Sequence, residues 1–316
     1  MGLTRDHVVW AYRILLDRDP ESEDVILPKM RGYQNTRDLR NDIVTSAEYQ
    51  EKNRDYAQMN ERTLVIREIA PGLRLVIDLA DHAIGLNILR GRFELNEIEF
   101  VRRSLQPGQH VVDAGAHIGL FAMHMAAIVG PTGSVRCFEP FRPNAECLEL
   151  AIRENRFDGI ITLERAAVGA ANGTARLVYA PATLNSGGAF LAGPGAAVPA
   201  GHESQAVPVV SLDGYPLRRP VSFIKIDVEG AEPQALGGAS RLLREDRPVI
   251  LSEVHPLQLE QVSGVSPAAF IRQMHDLGYR CHILGAGRLG DEIKDVHASG
   301  IVSVVFVPSE RDSQGG

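Results

Sequence analysis

Three charged residues, Lys225, Asp227 and Glu229, alternate with Ile224, Ile226 and Val228 in the segment VSFIKIDVEG. Alternation by two puts all three on one face of a strand. A half-exposed strand with a solvated side accounts for that pattern as simply as a site does. A central strand covered on both faces does not, because desolvating an ion costs several kcal/mol. Charges at such a place imply mutual pairing or an opening through which a substrate enters. The next apolar strand ends in SEVHP, with Glu253 two positions before His255. His255 reads either as a surface residue of a strand-to-helix turn or as a general base. A neutral imidazole in that second role is worth about 10²- to 10⁴-fold in rate when a proton leaves in the transition state.

A second constellation lies earlier in the chain. In VVDAGAHIGLFAMHMA, residues 111–126, an apolar run ends in Asp113, turns through Gly115 and Gly119, and continues as helix formers. The glycines permit a tight turn and a close approach of backbone to ligand, and the first N–H groups of the following helix are free to point at it. Asp113 has a structural alternative, which is to hold the turn by accepting backbone N–H groups. His117 inside the turn reads as a packing or ligand-contact residue rather than a catalyst. Glu139 closes the next apolar strand, in SVRCFEP, where a carboxylate can accept hydrogen bonds from both hydroxyls of a ribose.

These groups need a scaffold that brings strand ends together. From residue 110 onward strands and helices alternate, with strands expected at His110–Ala114, Val135–Glu139, Ile161–Val168, Val221–Val228, Val249–Val254 and Tyr279–Leu284. The pattern predicts an α/β fold with a doubly wound, mostly parallel sheet. In such sheets ligands lie beyond the carboxyl ends of the strands where the strand order reverses. The Asp113 and Asp227 termini should therefore border one cleft. IVSVVFV at Ile301 follows the loop-like GAGRLGDEIKDVHASG, and is expected to return as an antiparallel edge strand. The segment from Pro181 to Pro208, rich in Gly, Ala and Pro, reads as a loop over the crevice or as an inert insertion.

Before this core, residues 1–60 carry helical periodicity (Val8, Tyr12, Leu15 and Leu16; then Leu39, Ile43 and Tyr49), with Pro28 limiting or kinking a second helix and Thr36 as an N-cap. TLVIREIAPGLRLVIDL reads as two strands around an Ala-Pro-Gly turn, and FELNEIEFVRRSL as an amphipathic helix. The division expected is a small helical domain (1–60), a β-hairpin cap (61–91) and the α/β domain (92–316).

A formal charge of −7 with 6% aromatic residues argues against sequence-independent nucleic-acid binding, which needs a basic face. Cys137, Cys147 and Cys281 have no metal-type spacing and cannot all pair, which suits a reducing cytoplasm. No apolar run approaches the roughly twenty residues of a membrane span, and MGLTRDHVVW lacks the order of a signal peptide. Oligomeric state is not encoded in any feature of the chain.

The set DAGAHIG, CFEP, AAVG, NSGG, VSLDGY, IKIDVEGAE and SEVHP resembles the FkbM family of S-adenosylmethionine-dependent methyltransferases, over roughly Arg92 to Pro308. The resemblance implies a class I methyltransferase fold, a seven-stranded Rossmann-like sheet with its last strand antiparallel. It also implies methyl transfer to a hydroxyl, often on a sugar or polyketide. Carried across, Asp113, Gly115 and Gly119 line the methionine part of S-adenosylmethionine, with Ala116 and His117 in the same turn. Glu139, followed by Pro140, binds the ribose, and Ala167, after Ala166, stands where related enzymes often place an acid near the adenine. The family commonly has Asn where this chain has His117. His255 or Asp227 then takes the proton, Glu229 orients the acceptor hydroxyl, and Lys225 compensates the carboxylates. An alternative has Asp227 and Glu229 holding Mg²⁺. YRILLDRDPES with the later Ser-Ala-Glu-Tyr segment resembles a bacterial helical domain found beside glycan-modifying enzymes, which points to polysaccharide or secondary-metabolite biosynthesis. A nicotinamide-dependent oxidoreductase is the main rival, although Gly115-x-x-x-Gly119 lacks the G-x-G-x-x-G order. A non-catalytic glycan-binding scaffold is the other.

Overall fold

Val111, Val112 and Ala114 are buried without alternation, as are Val221, Phe223, Ile224 and Ile226. Strands of that kind need cover on both faces and sit in the middle of a parallel sheet. A computed structural model, which describes residues 3–44, 46–52, 63–81, 83–180, 185–193, 195–296 and 300–312, places them there.

The chain begins with four helices, α1 (Arg5–Leu16), α2 (Glu23–Gly32), α3 (Thr36–Val44) and α4 (Ala47–Lys52). Val8, Tyr12, Leu16, Leu39, Ile43 and Tyr49 form their shared apolar interior. Pro28 is accommodated inside α2 and does not end it. Thr36 is already helical, and the capping role expected of it belongs to Asn35, whose Oδ1 accepts from the Arg37 and Asp38 amides. The hairpin forms as expected from β1 (Leu64–Ala70) and β2 (Leu73–Asp78), with Gly72 supplying the positive φ of its turn. Tyr49 donates its hydroxyl to the Leu64 carbonyl at 2.7 Å, which ties helices to hairpin. Arg74 and Asn155 exchange backbone-to-side-chain hydrogen bonds at 2.9 and 2.7 Å, which ties hairpin to core.

Two short helices follow, α5 (Gly85–Leu89) and the amphipathic α6 (Leu95–Ser104), and then the alternating region. It comprises β3 (His110–Ala114), α7 (Leu120–Val129), β4 (Ser134–Phe138), α8 (Arg142–Glu154), β5 (Ile161–Glu164), β6 (Ala167–Val168), β7 (Gly173–Tyr179), β8 (Phe190–Leu191) and β9 (Glu203–Val210). It continues with β10 (Val221–Ile226), α9 (Glu232–Gly237), α10 (Ser240–Glu245), β11 (Val249–Val254), α11 (Pro256–Gln258), a π-helical turn (Leu259–Ser263), α12 (Pro267–Asp276), β12 (Tyr279–Gly285), β13 (Arg288–Ile293), β14 (Val302–Pro308) and α13 (Ser309–Asp312).

The main sheet has eight strands in the order β13-β12-β14-β11-β10-β3-β4-β5. β3, β4, β5, β10 and β11 are mutually parallel. From β3 the chain builds outward through β4 and β5, then returns to add β10 and β11 on the other side, so the order reverses between β3 and β10. α7 carries no charged residue and is buried almost all round, as a helix clamped between sheet and outer layer must be.

Four expectations need correction. β14 is antiparallel but does not lie at the edge; it inserts between β11 and β12. The edge is β13, inside the stretch read as loop, where Ala286 and Gly287 both take positive φ and turn the chain back. Arg288 to Glu292 are exposed and Ile293 is half-buried, and Leu289 and Ile293 are its only large apolar residues, so no apolar alternation announced it. The single strand expected over residues 161–168 is two, β5 in the main sheet and β6 in a separate four-stranded sheet of order β6-β9-β7-β8. That second sheet also takes Phe190–Leu191 and the residues from Glu203 on out of the segment from Pro181 to Pro208, of which residues 181–184 and 194 lie outside those described.

Candidate functional site

A cavity of about 290 Å³ opens at the carboxyl ends of β3, β4 and β10, where the strand order reverses. The glycine turn forms one wall through Gly115, Ala116 and His117, continued by Glu139, Pro140 and Ala167. Lys225, Asp227 and Glu229 form the facing wall together with Glu94 and Glu253. Phe93, Phe121 and Phe138 supply apolar surface, and Asn185, Ser186 and Gly187 close over it.

The glycine turn is held by protein rather than left open. The Gly115 and Ala116 amides both donate to the Phe138 carbonyl, at 2.9 and 3.0 Å, and the Gly119 amide donates to the Ala116 carbonyl at 2.9 Å. The His117 amide donates to Glu139 Oε2 at 2.8 Å. These four turn amides are already satisfied, whereas the N–H groups expected to face a ligand, those of the first turn of α7 from Leu120 onward, are not among them. Gly115 (φ +78°) is required for another reason: a Cβ there would stand 1.8 Å from the Asp227 carbonyl oxygen. The two chemistry-bearing turns touch backbone to backbone. Gly119 (φ +96°) is fixed by packing, since its Cβ would meet Leu148 Cδ1 at 2.4 Å, and it is not on the cavity wall.

Asp113 also departs from expectation. It is fully buried, sits behind the wall, and neither carboxylate oxygen has a hydrogen-bond partner, so it does not hold the turn. Burial pushes its pKa up to about 6 despite the opposing pull of Lys225, its neighbour across the β3–β10 register. The turn-holding carboxylate is Glu139, 5% exposed, whose two oxygens accept from the His117 and Phe141 amides. Each oxygen keeps a further acceptor position, so Glu139 on the cavity wall can still take two hydroxyls, as a ribose-binding role demands. Burial raises it to about 7, against the two amides that lower it.

On the facing wall the dilemma posed by the charges is resolved both ways: they pair, and they line an opening. Lys225, 6% exposed, donates to Asp227 Oδ2 at 3.2 Å and to the Gly115 carbonyl at 3.4 Å, and lies 5.0 Å above the Phe121 ring. Burial would lower its pKa, but Asp227, Asp113 and Glu94 together raise it. β10 ends at Ile226, so Asp227 and Glu229 stand on the turn beyond it rather than on the strand. Glu229 accepts from Gln258 Nε2. Burial first, and neighbouring carboxylates with it, push Glu229, Glu253 and Glu94 up to about 8 each.

His255 is not on this wall. Its Nδ1 accepts the Gln258 amide at 3.4 Å as the N-cap of α11, so the strand-end position that suggested a base serves a helix terminus. Its link to the site is indirect, through the helix that carries Gln258. Several wall residues were not foreseen. Glu94 is the N-cap of a helix read only as amphipathic, and Ser186 lies in the segment read either as a loop over the crevice or as an inert insertion; Asp81 stands behind the wall, hydrogen-bonded to Ser186. Glu253 was noted solely as a neighbour of His255. Ala166 is fully buried, whereas Ala167 reaches the cavity. Among the described residues, no group of three or more His, Cys, Asp or Glu side chains is arranged to hold a metal ion, which leaves the Mg²⁺ alternative without support. The three cysteines are buried and none is in a disulfide, and among the described residues no helix is long and apolar enough to cross a membrane.

A family model for the methyltransferase FkbM domain matches residues 113–281. Among solved structures, a methyltransferase FkbM from Methylobacillus flagellatus aligns over 94% of this chain and 58% of its own, at 16% identity and TM-score 0.42. An S-adenosylmethionine-dependent O-methyltransferase from Thermotoga maritima aligns over 67% of this chain and 64% of its own (12% identity, TM-score 0.39). An rRNA methylase from Streptococcus thermophilus aligns over 67% and 93% (12%, 0.36). No curated protein sequence matches the chain.

Proposed function

This chain belongs to the FkbM methyltransferase family, and from that premise we propose that it transfers the methyl group of S-adenosylmethionine to a hydroxyl of a sugar, glycan or polyketide-like acceptor. Family membership sets aside the nicotinamide and scaffold readings. One observation carries the proposal: the Gly115–His117 turn with Glu139 and the Lys225–Asp227–Glu229 turn are opposite walls of one cavity.

The residues present suit the cofactor. Glu139 offers two acceptor positions to a diol, the turn from Gly115 to His117 lies against it, and Pro140 and Ala167 give an apolar surface for a planar base. When bound, the cofactor supplies an electrophilic sulfonium methyl. The chain's own part is to hold an acceptor oxygen in line with it. Such positioning removes up to about 7–11 kcal/mol of barrier in favourable cases. Asp227, kept in place by Lys225, accepts the acceptor's hydroxyl hydrogen bond and orients it. Glu229 takes the proton, because a carboxylate raised to about 8 has the proton affinity that His255 was expected to bring. Four carboxylates on one wall favour an acceptor rich in O–H donors over one carrying phosphate or carboxylate next to the reacting atom.

The test is mass spectrometry of sugar nucleotides, lipid-linked glycans and polysaccharide fragments incubated with the protein and isotope-labelled S-adenosylmethionine. A gain of one labelled methyl on a hydroxyl is the expected product. Methylation solely of an amine or of RNA would overturn the acceptor assignment.

A further inference from the structure

Ser186 lies on the segment that closes over the cavity, and three distant parts of the chain converge on it. Its Oγ donates to Asp81 Oδ2, from the stretch after β2. Its Oγ also lies 2.6 Å from His117 Nε2 in the glycine turn. Its carbonyl accepts from Asn144 Nδ2, on α8, at 3.1 Å. Asp81 and Asn144 are 7% and 3% exposed, and Gly187 packs so tightly on Ile84 that a Cβ would come within 2.2 Å of it. Asp81 is itself fixed, since its Oδ1 accepts the Ala83 and Ile84 amides at 3.2 and 3.1 Å.

The proton count along this chain is determinate. A serine hydroxyl has one proton, and here it goes to the Asp81 carboxylate. Toward His117 the Oγ can then only accept, so the imidazole proton sits on Nε2. That leaves Nδ1, on a residue of the cavity wall, as an acceptor that meets no donor among the described residues. We propose that Asp81, Ser186 and His117 form one hydrogen-bonded chain that presents His117 Nδ1 to an N–H or O–H donor of the bound cofactor, with Ser186 as the positioning residue. Burial keeps the ring neutral, with its pKa lowered to about 4, so it does not repel a sulfonium or ammonium. The inference rests on the reading of this cavity as the S-adenosylmethionine site.

The experiment has an arm that needs no ligand. In the ¹⁵N-histidine spectrum of the wild-type chain at pH 7, His117 should show a protonated Nε2 and a pyridine-like Nδ1. In Ser186→Ala that preference should collapse to a mixture of tautomers. By calorimetry Ser186→Ala should weaken S-adenosylhomocysteine about 10-fold, the value of one good hydrogen bond, and Ser186→Thr should restore most of it. If the donor is the ammonium, methylthioadenosine, which lacks it, binds wild type and Ser186→Ala alike; if it is a ribose hydroxyl, both ligands weaken together. A wild-type His117 protonated on Nδ1, or doubly protonated, overturns the inference, as does unchanged S-adenosylhomocysteine affinity in Ser186→Ala. Failure of the wild-type chain to bind S-adenosylhomocysteine would instead remove the cofactor reading, and the tautomer alone would then decide whether the hydrogen-bonded chain exists.

Discussion

The two walls of the cavity solve the problem of buried polar groups in opposite ways. On the wall formed by the ends of β3 and β4, Glu139 is met by two backbone amides, and the turn amides are met by Phe138 and Ala116. On the wall formed by the ends of β10 and β11 with Glu94, the one lysine, Lys225, is paired with Asp227, and Glu94, Glu229 and Glu253 add three more carboxylates around the same cavity. The first wall is finished before any ligand arrives, as suits a cofactor whose shape never changes. The second is left crowded with carboxylates, which is the feature the proposed hydroxyl-bearing acceptor would satisfy. Catalytic and binding groups therefore sit on different strand pairs and can be perturbed separately.

The strongest way to break that separation is at the one place where the walls touch. Gly115→Ala forces a methyl group into the Asp227 carbonyl at a positive φ, and backbone there cannot yield cheaply. Loss of both S-adenosylhomocysteine binding and turnover is expected, with a melting midpoint lowered by several degrees on a cost of a few kcal/mol. Normal binding in that variant would mean the turns are independent. Next in size, Glu229→Gln should lower kcat/KM by about 10²- to 10⁴-fold and leave cofactor affinity within two-fold. It should also abolish the rise of kcat/KM with pH toward 8 that a base raised to that region imposes. The mirror experiment is Glu139→Gln. Cofactor affinity should fall about 10-fold, while the acceptor KM holds.

A smaller effect concerns the unliganded protein. Glu94, Glu229 and Glu253 hold protons in the fold that the unfolded chain has already released, so the stability they contribute at low pH is lost as pH rises toward about 8. His117 and His124, both lowered to about 4, act in the opposite direction but only below the ordinary histidine range near 6.5. The melting midpoint should therefore fall between pH 6.5 and 8.5, and Glu94→Gln should flatten that slope. A midpoint that rises over the same interval would contradict the crowding. The least consequential change is His255→Ala, which removes a helix cap worth about 1 kcal/mol. Turnover should change by less than about three-fold on that capping role, and a loss of 10²-fold would return His255 to the chemistry.

The contrast between the walls also separates what the sequence could and could not disclose. Apolar runs that end in a charged residue, such as SVRCFE and FIKID, are readable because a strand buried on both faces most readily tolerates an acid at its open end, a rule to which the fully buried Asp113 of β3 is an exception. They disclosed the sheet, the switch point, Glu139 and the β10 charges. Asp81, Ser186 and Glu94 share no motif with those runs. Topology alone brings them to the cavity, over separations such as the 105 residues between Asp81 and Ser186. β13 escaped notice because an exposed edge strand has neither face to hide, and the second sheet because β6 and β8 are two residues each and a stretch rich in glycine, alanine and proline separates β8 from β9. His255 misled for a related reason. The end of a strand is where sites form, and it is also where the following helix needs a cap.

The position of β14 carries a consequence for how this protein is made. β11 and β12 share no hydrogen bonds with each other; both bond to β14, the last strand of the chain. A nascent polypeptide that has emerged only as far as residue 300 thus holds two raw sheet edges with a gap between them. The Glu253 side of the cavity is then flanked by that gap. Ribosomal synthesis must run past residue 308 before the sheet can be whole, and deleting β14 would strike the middle of the sheet rather than its fringe.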